Sequence, residues 1–362
     1  MSQRKPTPPH DLLALTAELV DIASVSRAEG PITEHLQAAL GAIEGLAVDR
    51  VGDNLVARTQ LGRPYRLILA GHTDTVPAAD NERARIEGDT LWGLGSSDMK
   101  GGLAVMLELA RTIPAPAIDV TYVFYAREEV DSASSGLGEL FAERPDLLVG
   151  DAAILGEPTA AALEAGCQGT MHLEVELAGQ RAHSARPWMG RNAVHRLGRL
   201  LALVEAMPER RPVLQGCEYR EALQAVAVEG GVAGNVVPDR AKVTLNHRFA
   251  PDRTPDQAEA AVRALLAPVL EDGDRCERIG WADGAPPGLN HPLLAALAGK
   301  HDLEIRAKLG WTDVARFAAA GVPAVNFGPG DSTFAHRADE HIERDYLDAT
   351  WFVLADLLTH GV

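Results

Sequence analysis

The sequence is poor in cysteine: Cys167, Cys217 and Cys276 are the only ones in 362 residues, and they are scattered. Three isolated thiols make neither a disulfide framework nor a C-x-x-C metal site, and this usage suits a reducing cytoplasm. Any metal must then be held by histidine and carboxylate. Long apolar runs are missing as well. Although 46% of the residues are hydrophobic, no run approaches the roughly 20 residues that a membrane span requires. The chain reads as a soluble protein of about two domains. Its N-terminus, M-S-Q-R-K-P-T-P-P-H, is basic and proline-containing, but no long apolar segment follows, which argues against a signal peptide. Lysine and arginine form no run and the net charge is -17, so the basic footprint of a nucleic-acid partner is absent. An anionic substrate would have to be met by locally placed arginines. No internal repeat or low-complexity segment is evident.

The most informative stretch is Leu67 to Pro77, L-I-L-A-G-H-T-D-T-V-P, where an apolar run stops at a glycine and delivers His72 and Asp74. Such a run reads as a strand buried on both faces, with His72 and Asp74 pointing to the same side at its C-terminal end. Open α/β sheets carry their chemistry at that edge, and a carboxylate there can hold an imidazole's second nitrogen. H-x-D alone is also compatible with an ordinary loop.

The acids downstream give it weight. Asp11 to Ala23 and Ile32 to Ile43 have helical spacing, the first behind an acidic cap, and Leu46 to Val51 and Leu55 to Thr59 are strand candidates. Ala78 to Thr90 is polar and turn-rich. In L-W-G-L-G-S-S-D-M-K-G-G-L-A, glycines crowd around Asp98 ahead of a helix, Leu103 to Ala110, without matching a phosphate-binding motif. The crowding reads as close backbone passage that aims Asp98 inward. Ile118 to Ala126 is a strand ending in R-E-E-V-D, where strand alternation sends Glu128 and Glu129 to different sides. A solvated acidic turn is the plain alternative. Ala152 to Leu155 repeats the pattern with G-E-P-T and Glu157.

From Thr170 the texture changes to alternating strands (Met171 to Leu177, Ala225 to Val232, Ala241 to Phe249) interleaved with amphipathic helices (Ala193 to Met207, Pro255 to Leu270). This predicts an inserted α+β domain. The first pattern then resumes with a helix at Pro292 to Ala298, a strand near Glu304, a helix from Thr312, a strand at Ala324 to Phe327 and a terminal helix from Arg344. The segment G-P-G-D-S-T-F-A-H-R-A-D-E-H-I supplies His336. The fold expected is an α/β catalytic domain, 1–169 with 282–362, whose mixed central sheet is flanked by helices, and an inserted domain, 170–281.

His72, Asp98, Glu129, Glu157 and His336 each follow a predicted strand or turn of the catalytic domain. Two imidazoles and three carboxylates suit a pair of Zn²⁺ or similar ions with one carboxylate bridging. Such a pair activates water and polarises a carbonyl, leaving Glu128 as general base.

The motifs G-H-T-D-T-V-P, S-S-D-M-K-G-G, Glu128-Glu129, G-E-P-T and F-A-H-R-A-D-E resemble, in order and over nearly the whole chain, the co-catalytic zinc family of aminoacylases, carboxypeptidases, acetylornithine deacetylases and succinyl-diaminopimelate desuccinylases. The resemblance implies two divalent metals, zinc with cobalt as an alternative. One would be held by His72, Asp98 and Glu157, the other by Asp98, Glu129 and His336, with Asp74 orienting His72 and Glu128 as base. It implies that the Asp98-Met99 peptide is cis. It also makes the inserted domain a lid and dimerisation domain, whose A-H-S-A-R-P-W-M-G-R-N-A segment carries a histidine, His183, that reaches the scissile carbonyl across a homodimer.

Glu at position 157 resembles desuccinylases and acetylornithine deacetylases, where many peptidases of the family have Asp. G-C-Q-G-T, R-A-H-S-A-R-P-W, G-W-T-D-V-A-R-F and N-F-G-P-G-D look most like actinobacterial desuccinylases of lysine and peptidoglycan synthesis. There, residues matching Asn235, Thr312 and Arg316 contact substrate carboxylates. Gln168 stands where other desuccinylases carry Arg, with Arg186 as a substitute. The expected reaction is removal of succinate from N-succinyl-LL-2,6-diaminopimelate. The alternatives are a deacetylase or dipeptidase on the same scaffold and a non-catalytic metal-binding homologue. His172, His195 and His247 read as ordinary residues of the inserted domain, and Cys167 as a small buried apolar side chain.

Overall fold

In a computed structural model, which describes residues 8–362, two kinds of strand are separated by burial. The basic segment 1–7 lies outside the described residues. Asp119–Tyr125 and Ala152–Leu155 are buried at every position, and Arg66–His72 at all but the first. Strands of this kind need cover on both faces. Gly169–Ala178 and Arg240–Phe249 instead bury alternate residues, as strands with one covered face do.

The first kind belongs to a unit that, among the described residues, comprises 8–165, 287–306 and 316–362. Its sheet runs Ala47–Val51, Asn54–Arg58, Asp119–Tyr125, Arg66–His72, Ala152–Leu155, Ala324–Asn326, Leu163–Ala165, Ile305–Ala307. The pairings from Asp119–Tyr125 to Ala324–Asn326 are parallel, while Ala47–Val51, Asn54–Arg58 and Leu163–Ala165 pair antiparallel, so the sheet is mixed. Helices Leu12–Val20, Gly30–Gly41, Gly101–Thr112 and Arg344–His360 contribute Leu12, Leu36, Leu103 and Leu354 to one core with Leu67, Val120 and Ile154 of the sheet. The Asp11 carboxylate caps the first helix by accepting the Leu13 and Ala14 amides.

The second unit comprises Gly166–Pro286 and Ala307–Ala315. Its four-stranded sheet, ordered Ala222–Gly230, Arg240–Phe249, Gly169–Ala178, Arg275–Ala282, is antiparallel throughout. Leu173, Val175 and Leu245 pack with Leu197 and Leu200 of helix Ala193–Glu205 and Val262 and Leu266 of helix Pro255–Leu266. Thr254 and Gln257 close a capping box at the start of the latter helix.

The expected domain edges move. Residues 166–169, 282–286 and 307–315, placed with the catalytic domain by the sequence, fall in the second unit. Backbone pairing is the reason. Cys167 and Ala285 exchange amide hydrogen bonds at 3.0 Å each, and the Gln168 amide donates to the Lys308 carbonyl at 3.2 Å. The Cys167 thiol, fully buried, donates to the Thr312 carbonyl at 3.7 Å. A three-stranded sheet of Arg85–Glu87, Thr90–Trp92 and His341–Glu343 lies partly in the stretch read as turns. Its strands are too short for a periodic signal, and one partner is some 250 residues away in sequence, His341 opposite Trp92.

Candidate metal centre

His72 ends its strand and is 1% exposed. Its Nδ1 lies 3.0 Å from the Asp74 carbonyl oxygen and 3.6 Å from the Asp74 carboxylate. The carbonyl is thus the nearer partner that fixes the ring and leaves Nε2 for a ligand. The Asp74 carboxylate makes its short bonds elsewhere, accepting the Ser26 hydroxyl at 2.7 Å and the Glu128 and Glu129 amides at 2.9 and 3.0 Å. Burial pulls this carboxyl's pKa up, but the His72 imidazole, the Glu128 amide and the Ser26 hydroxyl outweigh it and leave it at about 2.

This corrects the expected reason for the placement of Glu128 and Glu129. Their strand ends at Tyr125, and Arg127 has φ of 61°, so strand alternation does not reach the pair. Asp74 holds the two amides instead, and a carboxylate oxygen of each glutamate comes within 4.8 Å of a His72 ring nitrogen.

Asp98 follows Gly95, Ser96 and Ser97 into the helix Gly101–Thr112, and the Asp98-Met99 peptide bond is cis. Its two oxygens face different imidazoles: Oδ1 is 3.1 Å from His72 Nε2 and Oδ2 is 3.6 Å from His336 Nε2. His336, at φ of 63°, sets the same Nε2 2.8 Å from Glu129 Oε1. Hydrogen bonding to Glu129, together with the nearby Asp98, raises the His336 pKa against the opposing effect of burial. Ligand atoms of His72, Asp98 and Glu157 form one group within 4.8 Å, and those of Asp98, Glu129 and His336 form another. Asp98 is shared. A carboxylate offering one oxygen to each of two imidazole-containing triads fits two divalent ions, and the nitrogen and oxygen donors suit borderline metals.

The glycines around Asp98 do allow close passage. A Cβ on Gly102 would lie 2.4 Å from the carbonyl oxygen of Gly156, the residue before Glu157. Gly102→Ala should therefore destabilise the protein by about 1–3 kcal/mol. Gly198→Ala, in an exposed helical position with nothing within 4 Å of the new Cβ, should be neutral or stabilising. Thermal unfolding of the two variants checks the contrast.

The profile described as peptidase family M20/M25/M40 matches residues 68–360. The chain belongs to that family. A putative succinyl-diaminopimelate desuccinylase of Mycobacterium tuberculosis (strain H37Rv) is 50% identical over 334 residues, 92% of this chain and 93% of its own. The succinyl-diaminopimelate desuccinylase of Corynebacterium glutamicum is 44% identical over 336 residues, 91% of each. Among solved structures, a dinuclear metal binding peptidase of family M20 from Bacillus subtilis superposes with a TM-score of 0.69, covering 96% of each chain at 13% identity.

Other candidate residues of this M20 chain sit in its second unit. His183 pairs with Val236, and an open cavity of about 330 Å³ is lined by Arg181, Ala182, His183, Asn235 and Val236. His183 Nδ1 accepts the Ala185 amide at 3.0 Å, so a neutral ring carries its proton on Nε2 as a donor. Arg186 is exposed, whereas Thr312 is buried. Arg316, in the first unit, already donates to the Ser132 carbonyl at 2.9 Å and hydroxyl at 2.7 Å. Gln168 is 1% exposed and donates to the Arg220 carbonyl at 2.8 Å, so its side chain holds the fold of the second unit.

Two residues were missed. Arg248, on Arg240–Phe249, is half-buried and has its pKa lowered by burial, yet it makes no ion pair among the described residues. A guanidinium kept in that state is suited to receiving an anion. It follows a histidine in an otherwise ordinary strand, where no motif or periodicity marks it out. Glu340 lies in the quoted motif F-A-H-R-A-D-E, where only His336 is given a role; in the structure it is 1% exposed.

Proposed function

We propose that this chain is a succinyl-diaminopimelate desuccinylase, hydrolysing N-succinyl-LL-2,6-diaminopimelate to succinate and diaminopimelate. The observation that carries this reading is 44–50% identity, over more than nine-tenths of the chain, to proteins bearing that name. The site supports it. Two ions, zinc or alternatively cobalt, would be held by His72, Asp98 and Glu157 and by Asp98, Glu129 and His336. Bound there, they would lower the pKa of water and polarise the amide carbonyl. Glu128 takes the proton of the attacking water as the new C–O bond forms and the carbonyl oxygen becomes an oxyanion, then passes that proton to the leaving amine as the oxyanion collapses and the C–N bond breaks. Asp74 orients His72 and the Glu128-Glu129 backbone. His183 donates from Nε2 to the developing oxyanion.

The substrate carries several carboxylates, and Arg186, Asn235, Thr312 and Arg316 are proposed contacts, with Arg248 taking the role that Gln168 cannot fill. Exposed Val226 and Val228 on the edge strand Ala222–Gly230 support a homodimer formed through the second unit, which serves as lid and dimerisation domain. No helix among the described residues is long and apolar enough to cross a membrane. A cytoplasmic place in lysine and peptidoglycan precursor synthesis suits the substrate.

The experiment compares N-succinyl-LL-2,6-diaminopimelate, N-acetylornithine and a dipeptide panel on one zinc-loaded sample. kcat/KM for the succinyl compound should lead by about 100-fold or more, because unmet buried charges penalise substrates lacking its carboxylates. A lead for acetylornithine or a dipeptide would reassign the substrate. Binding of metal without turnover of any of them would make the chain a non-catalytic homologue.

A further inference from the structure

Glu340 belongs to neither ligand triad, yet it joins the segments that carry two members of one of them. Its Oε1 accepts the amides of Ser97 and Asp98, each at 3.0 Å. Its carbonyl accepts the Gly93 amide at 3.0 Å, and its own amide donates to the Arg337 carbonyl at 3.1 Å. Around it, Asn81 ties the same segments: its side-chain amide donates to the Arg337 carbonyl at 3.0 Å, and its carbonyl accepts the Leu94 amide at 2.8 Å. Ser97 Oγ donates to the Asp331 carbonyl at 3.0 Å. Residues 93–98 and 331–340 are thus laced together, with a buried carboxylate at the centre.

Those segments carry Asp98 and His336. The other triad shares Asp98 but takes its two remaining members, His72 and Glu157, from the ends of strands Arg66–His72 and Ala152–Leu155, which none of these bonds touches. We infer that Glu340 is a positioning residue that fixes the separation of Asp98 and His336, and so acts more strongly on the metal position formed by Asp98, Glu129 and His336, two of whose members it joins, than on the other, with which it shares only Asp98. The inference rests on the two-metal reading above. Ligand distances in such sites are held within about 0.2 Å, so a backbone amide released from its acceptor beside a ligand is felt at the ion. Loss of a partner that orients a ligand typically weakens metal binding by about 10- to 100-fold.

The test is zinc titration of the metal-free protein by calorimetry. Wild type should take up two equivalents. Glu340→Ala should weaken one of the two equivalents by about 10- to 100-fold and the other by less. Glu340→Gln, which keeps an oxygen for the Ser97 and Asp98 amides, should stay near wild type. If circular dichroism shows the alanine variant unfolded, Glu340→Asp, which withdraws the carboxylate by one methylene, should give the same selective loss. Equal weakening of both equivalents, or no change in either, would overturn the role of Glu340. Uptake of fewer than two equivalents by wild type would overturn the two-metal reading itself, and the role with it.

Discussion

Glu128→Gln should take up two zinc ions like the wild-type chain and turn over succinyl-diaminopimelate about 10²- to 10⁴-fold more slowly, the range that a positioned general base supplies. The variant is decisive because the geometry leaves Glu128 two occupations. Its carboxylate lies close enough to His72 and Glu129 to form a third candidate triad with them. Glu129 is more narrowly placed: its Oε1 is 2.8 Å from His336 Nε2, which in turn faces Asp98. Glu129→Gln replaces a charged ligand by a neutral amide and should lose the second ion, while Glu128→Gln keeps both. Metal content measured beside kcat separates the cases. Equal metal loss in the two variants would mean that Glu128 is a ligand and that the base lies elsewhere.

His183→Ala should lower kcat by about 10²- to 10³-fold, as removal of one oxyanion donor does, and leave metal content unchanged. The ring is prepared for donation, since the Ala185 amide occupies Nδ1 and leaves the proton on Nε2. Placement of that donor beside the oxyanion in the partner chain's site is what the proposed isologous dimer provides. Mixing inactive Glu128→Gln and His183→Ala chains tests it, because each mixed dimer holds one site with an intact Glu128 and an intact donated His183. Activity should return on subunit exchange. Its absence in confirmed mixed dimers would place His183 in its own chain's chemistry or outside the reaction.

Much of the site was legible because apolar strands stop at the residues that matter. His72 and Glu157 follow buried runs that any two-faced sheet would need, and Asp98 sits among glycines whose hydrogens make room for the Gly156 carbonyl. The positions of the side chains that hold these residues were harder to read. Periodicity says nothing about a turn, so Asp74 catching the Glu128 and Glu129 amides was invisible, and strand alternation was extended past Tyr125 where it no longer applies. The strand Arg275–Ala282 was overlooked because the charges in R-C-E-R-I-G-W-A mask its alternation. Segment 307–315 was misassigned because its ties to Cys167 and Gln168 end on the backbone carbonyls of Thr312 and Lys308, which every residue possesses.

The most direct test of the central claim is succinate release from N-succinyl-LL-2,6-diaminopimelate by metal-free protein titrated with zinc. There should be no release without metal, a rate that rises until two equivalents are bound, and reversal by a chelator. Release by the metal-free chain, or none with two equivalents bound, would contradict it.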